Sequence, residues 1–184
     1  MSENVSPLCP DDRMSALLAA IDKGDEGQMP AIMREFPDDP RLHFLHGSLL
    51  AGNKDYQRAR IAMRKAVDLA PDFAIARFQL GFLLLTSGEP HAAQEAWGPL
   101  FGLADEEPLR LFARGLSHMI RDEFAEAIDH LERGIARNSE NLPLNRDMQL
   151  IIDELKAKEP PEDVEMLSAA SLLLRQTAFK PTRH

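Results

Sequence analysis

Two histidines have spacing suited to chemistry: His43 and His46 are three residues apart, so on a helix they would share a face and could hold a divalent metal. No carboxylate stands four residues beyond either one to complete a ligand set. His91, His118 and His130 fall in different predicted helices and read as surface or half-buried residues. The carboxylate pairs Asp11/Asp12, Asp38/Asp39 and Glu106/Glu107 sit at helix starts or connectors, where acidic caps are expected rather than general acid–base work. Cys9 is the single cysteine, which excludes an internal disulfide and fits a reducing compartment; in its polar N-terminal stretch it reads as an inert thiol. No lysine follows a glycine-rich phosphate loop, and no dinucleotide fingerprint or nucleophile elbow occurs. The expectation is a chain without catalytic site, metal or cofactor.

The elements that would position these groups follow from a repeat. Gly47, Gly81 and Gly115 are each 34 residues apart, and Ala59, Ala93 and Ala127 keep the same step. Each glycine lies in the middle of a predicted helix, where it costs about 1 kcal/mol relative to alanine, so its recurrence implies close approach of another helix. Turn and cap residues recur at one phase, with Asp55, Glu89 and Glu123 opening the second helix of each pair, where the helix dipole favours a carboxylate. The chain has 184 residues, enough for one compact domain or short solenoid, and a net charge of -9, which disfavours nucleic acid as a partner. The first twelve residues carry no basic or apolar signal region, and no apolar run approaches the ~18 residues of a membrane span, so a soluble cytoplasmic protein without membrane insertion is expected.

The windows 40–73, 74–107 and 108–141 resemble the tetratricopeptide repeat. Counting from Pro40, the family's small residue at position eight falls on the three glycines and its alanine at position twenty on the three alanines. Its large apolar residue at position 24 falls on Met63, Trp97 and Leu131, its alanine at 27 on Ala66, and its proline at 32 on Pro71. The sequence departs from the family at position four, where His43, Arg77 and Leu111 replace an aromatic residue, and at Gly134 and Ser139 in the last window. The resemblance implies an all-α fold: a right-handed superhelical solenoid of helix-turn-helix repeats acting as a protein–protein interaction module. Residues 13–39 read as a degenerate N-terminal hairpin in which Arg13 and Asp25 replace the small crossing residues and Pro30 shortens or bends the second helix. Residues 1–12 read as a flexible tail, 142–158 as a capping helix and 160–179 as an apolar C-terminal helix.

In this family positions five, nine and twelve of each first helix line the concave groove. Here they are Phe44, Ser48 and Ala51; Phe78, Phe82 and Leu85; and Phe112, Leu116 and Met119, with Arg41, Ile75 and Leu109 added at position two. This stripe is expected to lie roughly 100° round the helix from the glycines. Three occupants remain open: an apolar helix or segment of a partner protein, the chain's own residues 162–179, or a second copy in a homodimer. The carboxylate clamp that some family members use against chaperone tails is absent, because Phe44, Ser48, Phe82, Leu109 and Ala113 stand at its positions. Function is therefore expected to be that of an adaptor, assembly factor or chaperone. Arg58, Arg60, Arg64 and Lys65 lie along a second helix and read as a solvated convex face or a secondary contact for an acidic partner. Gly98 and Pro99 predict a kink or early helix end just after Trp97, exposing part of Leu100, Phe101 and Leu103 or reangling the third repeat.

Overall fold

The structure is a computed structural model describing residues 7–157, and it divides into two compact units, Met1–Ala76 and Arg77–His184. Among the described residues every regular element is helical: α1 Asp11–Ile21, α2 Met29–Glu35, α3 Pro40–Gly52, α4 Tyr56–Leu69, α5 Ala74–Thr86, α6 Pro90–Trp97, α7 Pro108–Ile120, α8 Phe124–Arg137 and α9 Leu142–Ala157, with a 3₁₀ helix at Gly98–Gly102. The helices α3, α5, α7 and α9 begin at the 34-residue step seen in the sequence, and α3 with α4 and α7 with α8 form tight antiparallel hairpins. The expected apolar helix at 160–179 lies outside the described residues.

One backbone reversal joins the two helices of every hairpin. The amides of Asp55, Glu89 and Glu123 donate to the carbonyls of Leu50, Leu84 and His118 at 2.8, 3.0 and 3.1 Å. The residue before each of these amides has a left-handed φ: 65° at Lys54, 81° at Gly88 and 60° at Asp122. The N-terminal hairpin repeats the reversal, with the Asp25 amide donating to the Ala20 carbonyl at 2.9 Å, and at Gly24 and Gly88 the turn avoids the Cβ clash of that conformation. Asp55 caps α4 by accepting from the Arg58 amide at 3.2 Å. Glu89 and Glu123 occupy the same position without a side-chain cap bond.

The N-terminal hairpin replaces the small-residue crossing with an ion pair. Arg13 on α1 donates to both carboxylate oxygens of Glu35 at the end of α2, at 2.5 and 2.8 Å, and its guanidinium lies 5.1 Å from the centre of the Phe36 ring. Pro30 sits in the first turn of α2, where its missing amide costs nothing, so it starts a short helix and does not bend a longer one. The segment 1–12, expected as a tail, is part of the fold from Cys9 onward. Cys9 is only 2% exposed and packs with Met14, Leu17, Met29, Ile32, Phe36 and Leu42, and burial pushes its thiol pKa up.

A buried carboxylate holds that segment in place. Asp39 is 0% exposed at the N-cap of α3. Its Oδ1 accepts from the Arg41 amide and Nε at 2.9 and 3.1 Å, and its Oδ2 from the Cys9 amide and Arg41 Nη2, both at 2.8 Å. Arg41 also donates to the Cys9 carbonyl at 2.6 Å and pairs with Asp11 at 2.8 Å. Burial alone would raise the Asp39 pKa, but these hydrogen bonds outweigh it and hold the carboxyl below its usual range. Because the folded-state value lies below the unfolded one, this stabilisation is complete above about pH 4 and is lost as pH falls through the folded value. Asp39→Asn keeps a capping oxygen but loses the charge. It is expected to lower stability at neutral pH by about 2 kcal/mol and to flatten the loss that sets in as pH falls below about 4, as read from urea midpoints.

Candidate functional site

Which faces of the hairpins remain available is decided by contacts between position eight and position 24. A Cβ added to Gly47 would stand 2.9 Å from Met63 Cγ, and one added to Gly115 would stand 2.7 Å from Leu131 Cδ2. At Gly81 the added atom would collide with the pyrrole edge of Trp97. Trp97 is fully buried and its Nε1 donates to the Phe78 carbonyl at 3.1 Å, so the indole is fixed by packing and by a hydrogen bond to the facing helix. The alanines at position twenty are buried in all three hairpins, yet the atoms nearest Gly47 and Gly81 belong to the large residues at position 24.

The structure divides the ten expected groove residues into two sets. In the first unit Phe44 is half-buried, with its ring 5.3 Å from Phe73, and the Ser48 hydroxyl donates to the Phe44 carbonyl at 3.0 Å; Ile75 is also half-buried. In the second unit Phe82 and Leu109 are half-buried, whereas Phe78, Leu85, Phe112, Leu116 and Met119 are buried. Phe78 is the hub of an aromatic cluster: its ring lies 6.2 Å from Trp97, 6.1 Å from Phe112 and 6.3 Å from Phe82, the last nearly parallel at 11°. Phe112 fills the space left by Gly134 on α8, 2.5 Å from where a Cβ at that glycine would project. In the second unit position five is therefore turned toward the second helix of its own hairpin. The reason is helical geometry: three residues along a helix return to within about 60°, so Phe78 and Phe112 point nearly the same way as Gly81 and Gly115. The side chains of this stripe left partly open in the second unit are Phe82, stacked on the buried hub, and Leu109.

The helix break after Trp97 shapes the same unit. The helix α6 stops at Trp97, and the 3₁₀ segment buries Leu100 while Phe101 and Leu103 stay half-exposed. The return to α7 is held by Arg110, which sequence reasoning did not single out; it donates to the Leu103 carbonyl and pairs with Asp105 at 2.7 Å. Arg133 and Arg137 on α8 bind Glu106 at 2.7 and 3.1 Å.

The histidines form two arrangements. The Nε2 of His43 lies 2.7 Å from the Pro37 carbonyl, and burial, with Arg58 and His43 nearby, pushes the His46 pKa down. On α7 and α8, twelve residues apart in sequence, His118 and His130 stack with ring centres 5.0 Å apart. His118 Nδ1 meets Glu123 at 2.7 Å, and Arg121 donates to the same carboxylate at 2.8 Å. This pairing carried no sequence signal, because it depends on the hairpin turn. Among the described residues no three potential ligands are gathered as a metal site.

Residues 15–73 match the tetratricopeptide repeat family, which takes in the N-terminal hairpin and the first 34-residue window. No curated protein matches the sequence. Among solved structures the chain is similar to MamA 41-end from Desulfovibrio magneticus RS-1, at 16% identity over 91% of this chain and 92% of that one with a TM-score of 0.55. It is also similar to the MamA RS-1 ArsTM double mutant, at 15% identity over 90% of each chain with a TM-score of 0.58. These likenesses establish the fold.

The division into buried and accessible residues has a direct consequence for stability. Phe112→Ala is expected to cost about 4 kcal/mol, as truncation of a core aromatic does, whereas Phe82→Ala costs about 1 kcal/mol. Chemical denaturation of the two variants side by side checks the assignment.

Proposed function

Because this chain is a tetratricopeptide repeat protein, we propose that it is a non-catalytic protein–protein interaction module, serving as an adaptor, assembly factor or chaperone that holds an apolar helix or segment of another protein. The observation that carries this reading is the half-exposed Phe82 ring lying parallel on buried Phe78. A ring backed by packed aromatic groups has little rotamer freedom left to lose, which suits it to be an anchor. Leu109 extends the apolar face in the second unit, and Phe44, Ser48 and Ile75 supply its counterpart in the first. The buried members of the stripe, Phe78, Leu85, Phe112, Leu116 and Met119, act as the rigid backing of that face. A cytoplasmic setting fits the lone, buried, unpaired thiol of Cys9. The charge of -9 argues for protein rather than nucleic acid as partner.

A second reading places residues 162–179 of the same chain, or a second copy, on this face. It is favoured by the apolar content of that segment, which includes Val164, Met166, Leu167, Leu172, Leu173, Leu174 and Phe179. Panning a phage-displayed library of amphipathic helical peptides on the full chain, and on a chain ending at Lys158, separates the readings. The proposal predicts enriched peptides with apolar residues at helical spacing, and about 30-fold weaker binding when Phe82 and Leu109 are both replaced by Ala in a chain that still unfolds cooperatively. Binding that appears only with the shortened chain supports self-occupancy. No enrichment on either bait, or binding indifferent to the substitutions, contradicts the proposed face.

A further inference from the structure

The outward face of α4 carries an arrangement that the proposed apolar face does not use. The helix buries Ala59, Ala62, Met63, Ala66 and Val67, as an amphipathic second helix must. Ile61 is turned the other way and is 69% exposed, the most open large apolar side chain among the described residues. Around it at i−3, i+3 and i+4 stand Arg58, Arg64 and Lys65, all exposed. Among the described residues Arg58 pairs with the helix's own N-cap, Asp55, at 3.4 Å, and Lys65 with Asp38 at 3.8 Å. Arg64 makes no ion pair with any described residue. An apolar side chain ringed by cations thus stands on a chain whose net charge is -9.

We propose that this face of α4 is a docking surface for a short acidic protein segment, one that sets an apolar side chain on Ile61 and carboxylates on Arg58, Arg64 and Lys65. Charge complementarity selects the sign of the partner, and the chain's own charge selects its size. A nucleic acid or an anionic membrane presents negative charge over a wide area and would meet the acidic remainder of the surface. A short segment interacts within a Debye length of about 8 Å at physiological salt, where its carboxylates meet Arg64 and compete with Asp55 and Asp38 for their long contacts to Arg58 and Lys65. The exposed isoleucine gives such a segment an apolar contact beside the charges, so the bound side chain is selected as well as the charge. The surface belongs to α4, which contributes no residue to the face proposed above.

The test is fluorescence anisotropy on the full chain with a fluorescein-labelled synthetic peptide that has two leucines between runs of Asp and Glu. A control peptide carries serines for the leucines. Expected are saturable binding that weakens with added salt, a control peptide about tenfold weaker, and about tenfold weaker binding to both Ile61→Ser and Arg64→Glu at an unchanged melting temperature. Both substituted side chains are exposed, so folding is not at risk. The proposal is overturned if the peptide fails to bind the unsubstituted chain, if either substitution leaves binding unchanged, or if the serine control binds as well as the leucine peptide. It is also overturned if vesicles of phosphatidylserine and phosphatidylcholine bind with the same dependence on Ile61 and Arg64, which would make the surface a membrane contact.

Discussion

The packing of the second unit depends on Trp97 lying against Gly81. A glycine inside a helix weakens that helix, and here the loss is recovered because the indole approaches the backbone of α5 more closely than any Cβ would allow. The same indole donates to the Phe78 carbonyl and flanks the Phe78 ring, which in turn contacts Phe112 and Phe82. One backbone position without a side chain therefore sets the depth at which three phenylalanine rings sit. Two of them are buried, and the third is left with one face partly open. The break at Gly98 follows directly: α6 ends as soon as Trp97 is placed, and the chain tightens into a 3₁₀ segment that buries Leu100 before returning to α7.

A binding face in such a fold is what remains after the hairpins have satisfied their own packing. The aromatic stripe is mostly an internal support, and its external part is small: Phe82 and Leu109 in the second unit, Phe44, Ser48 and Ile75 in the first. In the second unit the packed rings behind Phe82 are what make it a rigid anchor under the proposed function. The first unit solves a different problem, that of ending a repeat array. It exchanges the small-residue crossing for the Arg13–Glu35 pair and ties the chain before α1 to the start of α3 through buried Asp39. Polar groups can serve there because each oxygen of Asp39 has donors, which offsets the cost of removing the carboxylate from water.

The hairpins were legible in the sequence because their determinants are local and periodic. Glycine at position eight and a large residue at 24 can be counted without knowing the fold, and the starts of α3, α5, α7 and α9 follow from that count. The early end of α6 was legible from Gly98 and Pro99, since proline removes a helical hydrogen bond wherever it occurs. What was misjudged was the direction of position five. Phe78 and Phe112 read as groove residues by family register, but the room made by Gly134, and the place of Trp97 beside Phe78, draw both rings inward. Asp39 was legible as a cap and Cys9 only as a thiol in a polar stretch, because their contact spans 30 residues and depends on Arg41 folding back over both. The stacked His118 and His130, and the clasp of Arg110 on Leu103, were hidden for the same reason: each is made by a turn and not by a spacing.

The claim that the Gly81–Trp97 contact organises the second unit is tested most directly by a double-mutant cycle of Gly81→Ala and Trp97→Leu, measured by urea unfolding. Each single change is expected to destabilise, the first by driving a methyl group into the indole and the second by leaving a cavity. In the double variant the methyl group occupies space that the indole has left, so the two losses together should fall short of their sum by at least about 1.5 kcal/mol. Losses that add to within about 0.5 kcal/mol would contradict the account, because they would mean that Gly81 and Trp97 contribute independently and that the depth of the phenylalanine rings is set elsewhere.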